Sequence, residues 1–232
     1  MSRMTLAERV DRFEAALAVA VSGSDADQVL ADMSARVTVN SFEQISLVVA
    51  LGDTRGPDGS AALRAVFNAA LSKYAAASRS TRPEYRDLLC ACVVALAKRD
   101  GPAATDVYAT AARHANPAVR EYAMTALAPV GDDRAWDEIL ARLDGMVERK
   151  VNPTSSGSRR WEEVSGAIEY LARHSTTASA RAIRLITLLR ARWPNLADPE
   201  LVERWWPGIK PGGPPPEGID FPGSHVPHSW WQ

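Results

Sequence analysis

The 232-residue chain has only two cysteines, few aromatic residues and a formal net charge of −1. Cys90 and Cys92 are two positions apart and on a helix would point about 200° apart, so they neither bridge nor chelate together. The charge balance gives no general attraction to nucleic acid or to an anionic membrane. No apolar run approaches the roughly 18–20 residues of a membrane-spanning helix. The cysteine count argues against a disulfide scaffold, the charge balance against a nucleic-acid-binding protein, and the lack of long apolar runs against a membrane-spanning protein.

Residues 1–17 carry charges throughout and lack the apolar core of a signal peptide. We therefore expect a cytoplasmic protein whose thiols stay reduced and which is a monomer when free. Apolar residues make up 46% of the chain and aromatic residues 7%, with alanine filling much of the rest. Because alanine is the best helix former, this composition predicts an all-α fold.

Helix start and stop signals recur along the chain. Thr5 with Glu8, and Thr81 with Glu84, have the capping-box spacing that opens a helix. Glycine and proline then separate the amphipathic stretches. The predicted helices cover residues 6–21, 24–36, 45–51, 61–77, 85–98, 103–114, 117–130, 134–147, 161–173, 178–193 and 199–206.

Residues 116–143 form the most complete pair of helices. Asn116 is a good N-cap, Pro117 suits the first helical position, and Gly131 ends the helix. The second helix places its apolar residues on one face: Ala135, Trp136, Ile139, Leu140 and Leu143. Such a pair cannot bury its apolar faces alone and must stack on similar neighbours.

This pair resembles a HEAT-like repeat of the short bacterial type. The positions that match the family pattern are Asn116, Pro117, Val119, Arg120, Ala123, Ala126, Leu127, Val130, Gly131 and Asp132. The resemblance implies a right-handed α-α superhelix of four to five helix pairs that serves as a binding scaffold. We expect this HEAT-like domain over residues 1–206, followed by an extended Pro/Gly-rich tail over residues 207–232.

No nucleophile–base motif or phosphate-binding glycine loop is visible, and we expect no catalytic residue and no cofactor. His225 and His228 lack further ligands nearby, so we expect no metal site. The resemblance also covers DNA glycosylases that bind duplex DNA with tryptophan, aspartate and arginine. Four residues of this chain weakly resemble that set: Trp136, Asp137, Arg142 and Trp161.

One stretch of the chain is locally basic. Arg181, Arg184 and Arg192 fall within an arc of about 80° beside the apolar face of their predicted helix. A preceding loop adds four more cations: Arg149, Lys150, Arg159 and Arg160. These residues are either a solvated helix edge with a flexible loop, or a docking surface for an acidic protein partner.

The tail contains aromatic residues that a disordered segment would normally lack. Its candidate anchors are Phe221, Trp230 and Trp231. The proline-rich tail either packs on its own solenoid or is a free peptide for a partner.

Taken together, these patterns favour a protein–protein interaction scaffold, an adaptor or an inhibitor. Immunity proteins of bacterial toxin systems offer an analogy for the last role. The alternative is a HEAT-like enzyme, either a DNA glycosylase or a lyase-type cofactor handler. We expect a binding protein rather than an enzyme.

Overall fold

The computed structural model describes residues 5–37, 41–148, 160–175, 180–181 and 184–185. The secondary structure of these residues is helical and includes no strand, so the all-α prediction is confirmed. The chain divides into two compact units, Met1–Asp100 and Gly101–Gln232. Within the described ranges, no helix combines the length and apolarity needed to cross a membrane.

The described residues of the first unit form five helices in two rows. These are α1 (Leu6–Ser22), α2 (Ala26–Arg36), α3 (Ser41–Asp53), α4 (Pro57–Ala76) and α5 (Arg82–Arg99). The odd-numbered helices α1, α3 and α5 are neighbours in one row, and α2 packs on α4 in the other. Consecutive helices also pack across the rows, most extensively α4 on α5. The apolar stripe of each helix is therefore shared with two or more neighbours.

Small residues let α3 and α5 approach closely. A methyl group on Gly52 would lie 3.0 Å from both the Cα and the Cβ atoms of Ala95. Residues 88–97 of α5 are buried on every face of the helix, Cys90 and Cys92 among them. Burial raises the pKa of the Cys92 thiol, so it stays protonated and unreactive at neutral pH.

Between residues 101 and 173, the described part of the second unit has two short 3₁₀ turns and four α-helices. Its elements are a 3₁₀ turn (Gly101–Ala104), α6 (Thr105–Ala112), α7 (Pro117–Val130), a second 3₁₀ turn (Asp133–Ala135), α8 (Trp136–Glu148) and α9 (Arg160–Arg173). α7 packs on α9, α6 packs on α7, and α8 packs on α9. The contact between α7 and α9 is close, because a methyl group on Gly166 would lie 2.9 Å from Met124 Cβ.

Two of the predicted helix caps are confirmed and one is wrong. Glu8 N donates to Thr5 Oγ1 at 3.3 Å while Thr5 N donates to Glu8 Oε2 at 2.7 Å, which completes the capping box. Asn116 caps α7 by accepting from a backbone N–H. Thr81 makes no capping hydrogen bond, because its hydroxyl donates to Ser78 O instead.

Some predicted boundaries are also corrected. α4 begins at Pro57, not at residue 61, because Gly56 adopts a positive φ of 155° and Pro57 occupies the first helical turn. α5 begins at Arg82, not at residue 85, and the predicted helix 103–114 is divided between a 3₁₀ turn and α6. In the predicted helix 178–193 only residues 180–181 and 184–185 are described, and these are helical. The predicted helix 199–206 lies outside the described residues.

Candidate partner-binding site

Trp136 begins α8 and has no exposed surface. Its indole Nε1 donates hydrogen bonds to Leu171 O at 3.0 Å and to Ser175 Oγ at 3.1 Å. A buried indole N–H needs such acceptors, because its desolvation is otherwise uncompensated. The ring therefore ties the start of α8 to the end of α9. The predicted apolar face of α8 is confirmed, since its other members are buried as well: Ala135, Ile139, Leu140 and Leu143.

Two arginines lie over this indole. The guanidinium carbons of Arg181 and Arg184 are each 5.5 Å from the Trp136 ring centroid, within the range of cation–π attraction. Arg181 Nη1 is 2.6 Å from Asp133 Oδ2, and Arg184 Nη1 is 2.5 Å from Asp137 Oδ1. We call these five residues the arginine clamp.

The charged groups of the clamp face solvent although the indole beneath them is buried. The exposed fractions of the side chains are 34% for Arg181, 54% for Arg184, 60% for Asp133 and 66% for Asp137. The hydrogen bond from Arg181 lowers the pKa of Asp133 and raises the pKa of Arg181 itself. Two cations and two anions leave the clamp without net charge at neutral pH.

The turn that carries Asp133 is fixed by hydrogen bonds on both sides. Asp132 N donates to Thr105 Oγ1 at 2.9 Å, and the Tyr170 hydroxyl donates to Asp132 O at 2.5 Å. Asp132 Oδ1 also accepts from Arg134 N at 3.1 Å, which caps the 3₁₀ turn. Burial raises the pKa of Tyr170, so its hydroxyl keeps the proton that it donates. The position of the Asp133 backbone is therefore set by the core of the unit.

Comparison with known proteins yields no relative from which the role of the clamp could be transferred. No family model, curated protein or solved structure matches the chain. The likeness to HEAT-like repeats rests on the residues that carry it, and function has to be argued from the site.

A second charged cluster lies deeper in the unit. Glu163 is 2% exposed, and its two carboxylate oxygens accept from Arg120 Nε at 3.0 Å and Arg142 Nε at 2.8 Å. These bonds join α7, α8 and α9. Sequence reasoning missed Glu163, although a signal was present, because it lies on the same helix stripe as the buried residues Ala167 and Tyr170. A charged residue on such a stripe needs a partner.

Of the residues that resemble a DNA glycosylase set, Trp136 and Asp137 meet in the clamp through Arg184, whereas Arg142 lies elsewhere. Trp136 is buried with its N–H bonded to α9, and Asp137 pairs with Arg184 at the surface. Arg142 binds a buried glutamate on α9. The side chain of Trp161 lies outside the described residues.

Of the predicted basic residues, the structure places Arg181 and Arg184 together. Arg160 is the first residue of α9. The other predicted basic residues and tail anchors lie outside the described residues: Arg149, Lys150, Arg159, Arg192, Phe221, Trp230 and Trp231. His225 and His228 also lie outside them. Among the residues that the structure does describe, no group of three potential metal ligands is found.

Proposed function

We propose that this chain is a HEAT-like helical-repeat protein that binds an acidic protein partner through the arginine clamp. Such a protein acts as an adaptor or inhibitor by covering a surface of its partner, not by catalysis. The proposal has two parts, the identity of the repeats and the chemistry of the clamp.

The order of helix packing supports the repeats. In each unit, helices two positions apart in the chain are neighbours, α3 with α5 and α7 with α9, as expected when helix pairs stack. The best-matched pair also gives its signature residues physical roles. Asn116 caps α7, and a methyl group on Gly131 would lie 2.6 Å from Leu127 O, so a larger residue would disturb the end of α7.

The single observation that carries the binding function is that two exposed guanidinium groups rest on one buried indole. Arginine presents a planar set of donors that fits a carboxylate, and stacking on an aromatic ring fixes the direction of that plane. Arg181 and Arg184 are therefore oriented before any partner arrives. Preorganised donors lose less freedom on binding than donors on mobile side chains.

The contacts among the described residues favour binding over the enzyme alternative. A glycosylase would need a tryptophan, an aspartate and an arginine that converge on a basic groove. Here Trp136, Asp137 and Arg184 do converge in the clamp, but the indole is fully buried, and each arginine of the clamp is balanced by an aspartate, so the clamp is not a basic groove. Arg142 pairs with the buried Glu163 instead.

The test is a charge reversal on the clamp. The wild-type chain is used to capture its partner from the native host, and association of the purified pair is then followed at several salt concentrations. Arg181→Glu/Arg184→Glu should slow association by about tenfold or more at low salt, because four acidic side chains then repel an acidic partner, and the difference from wild type should shrink as the salt concentration rises.

Arg86→Glu/Arg113→Glu is the matched control, because it also reverses two charges. Arg86 is 34% exposed and pairs with Asp87, and Arg113 is 54% exposed and pairs with Glu138, but neither is part of the clamp. This double reversal should leave association close to wild type. Equal kinetics for the clamp variant and the wild type, with both folded by circular dichroism, would refute the proposed function.

A further inference from the structure

We propose that Asp133 and Asp137 are internal competitors for Arg181 and Arg184, and that the partner presents two carboxylates one helical turn apart. This inference rests on the proposed function, because it concerns the same arginine clamp.

The two aspartates display the carboxylate spacing that the arginines accept. Asp133 lies in the 3₁₀ turn before α8, and Asp137 lies in the first turn of α8, one helical turn later. Each carboxylate takes one guanidinium, at 2.6 Å for Arg181 and 2.5 Å for Arg184. Residues i and i+4 of a helix share one face. A partner helix with two acidic residues at that spacing therefore presents the same pair of charges.

Each arginine has a second contact that does not involve its aspartate. Both guanidinium groups lie over the Trp136 ring, so displacement of the aspartates does not remove this attraction. The aspartate side chains are more than half exposed, so water can hydrate them after displacement. Asp137 also lies at the N-terminus of α8, where the helix dipole favours a negative charge without any arginine. Exposed ion pairs of this kind contribute little stability, so an incoming acid can replace them.

The same aspartates disfavour a polyanion. Nucleic acid would bring a continuous row of phosphates next to both displaced carboxylates, whereas a partner helix brings only two charges. The chain as a whole has a formal net charge of −1 and offers no compensating attraction. The geometry therefore points to an acidic helix of a protein partner.

The test uses two labelled alanine-rich helical peptides of identical composition. The first has two glutamates four residues apart, and the second has them two residues apart, which places them on different faces. Binding to the full chain is measured by fluorescence anisotropy at low salt. The key variant is Asp133→Asn/Asp137→Asn, which removes the competitors and keeps the arginines.

Two further variants serve as controls. Asp53→Asn/Asp58→Asn changes the net charge by the same amount in the other unit, where both aspartates are exposed. Arg181→Gln/Arg184→Gln removes the guanidinium groups. The first control should bind both peptides like the wild type, and the second should bind neither.

The key variant should bind the peptide with four-residue spacing about tenfold tighter than the wild type does, and tighter than the other peptide. Three results would overturn the inference: no gain beyond the Asp53→Asn/Asp58→Asn control, equal affinity for both peptides, or tighter binding of a labelled DNA duplex. Should the key variant unfold, Asp137→Asn alone is measured. It retains the pair between Asp133 and Arg181, and an affinity equal to wild type would then overturn the inference.

These outcomes are separable from failure of the proposed function. If the native partner requires Arg181 and Arg184 but the key variant gains nothing, the clamp binds the partner and the aspartates are not competitors. If charge reversal leaves the native partner bound, the proposed function itself fails.

Discussion

Arg99 Nη1 lies 2.8 Å from Asp27 Oδ1, and the arginine side chain is only 2% exposed. The same nitrogen donates to Leu51 O at 2.9 Å and to Thr54 O at 2.8 Å, so the end of α5 holds the loop between α3 and α4. Asp27 in turn accepts from Gly59 N at 3.0 Å. Burial alone would raise the pKa of Asp27. The hydrogen bond from Gly59 N and the charge of the Arg99 guanidinium outweigh burial, so the pKa of Asp27 is lowered.

Replacing Arg99 should therefore be among the most damaging changes in the first unit. Arg99→Met leaves the Asp27 carboxylate without its cation and the carbonyls of Leu51 and Thr54 without the arginine donor, and we expect a loss of about 3–5 kcal/mol in the free energy of unfolding. Denaturant titration measures it. Lys98→Met is the control, because Lys98 pairs with an Asp53 side chain that is 61% exposed. A loss at Arg99 no larger than at Lys98 would show that the buried pair contributes nothing.

The Arg99–Asp27 ion pair could not be predicted from the sequence, whereas some of the helix caps could. Helix starts such as Thr5 and Asn116 could be predicted because a cap and its acceptor lie within a few positions of each other. Asp27 and Arg99 lie on helices α2 and α5, and no local pattern links them. The contact of Arg99 with the loop between α3 and α4 therefore could not be predicted from the sequence.

The ion pairs of the clamp could not be predicted from the sequence either. Counted along the chain, the segment around Arg181 and Arg184 is basic because it contains no acid. In space its arginines meet Asp133 and Asp137, which come from the start of α8. Charge counted over a sequence window therefore identified these two arginines but not the aspartates that balance them in space.

The second prediction concerns Leu127, which is fully buried in α7. Leu127→Ala should lower the free energy of unfolding by about 2–5 kcal/mol, the range for truncating a buried leucine. The measurement is again a denaturant titration. Val19→Ala serves as the surface control, since Val19 is 73% exposed and should change stability by less than about 0.5 kcal/mol. Similar values for the two variants would contradict the position of α7 in the core.

The third prediction concerns acidification. Burial lowers the pKa of His174, whose Nε2 is buried and has no hydrogen-bond partner among the described atoms. Burial and Arg120 lower the pKa of His114, whose Nδ1 accepts from Asn116 N at 3.1 Å and cannot do so when protonated. Both folded-state pKa values lie below the ordinary value of 6.5. As the pH falls, these two histidines are therefore protonated in the unfolded chain before they are protonated in the folded chain.

The stability that these histidines contribute is therefore complete above about pH 6.5 and is lost as the pH falls through their folded-state pKa values. Chemical denaturation at pH 7.5 and 5.5 should show a smaller free energy of unfolding at the lower pH. The loss should shrink in His174→Phe, which removes the titrating group and keeps an aromatic ring beside Tyr170. An unchanged pH dependence in that variant would assign the effect to other groups.

The last prediction separates the two roles of Trp136. Trp136→Phe removes the N–H that binds Leu171 O and Ser175 Oγ, and we expect a loss of about 1–3 kcal/mol in the free energy of unfolding. It also weakens the cation–π contact that orients Arg181 and Arg184, because phenylalanine is a poorer partner for a cation than tryptophan. Binding of the peptide with four-residue spacing should therefore weaken although no charge has changed.

Ile139→Val provides the comparison for that experiment. Ile139 is fully buried on the same helix, and its truncation should cost about 0.5–1.5 kcal/mol without removing a contact to the arginines. Peptide affinity should fall for Trp136→Phe and stay at the wild-type value for Ile139→Val, with both variants assayed well below their melting temperatures. Equal affinity in the two variants would mean that the indole only fills the core, and that the direction of the guanidinium planes has no part in binding.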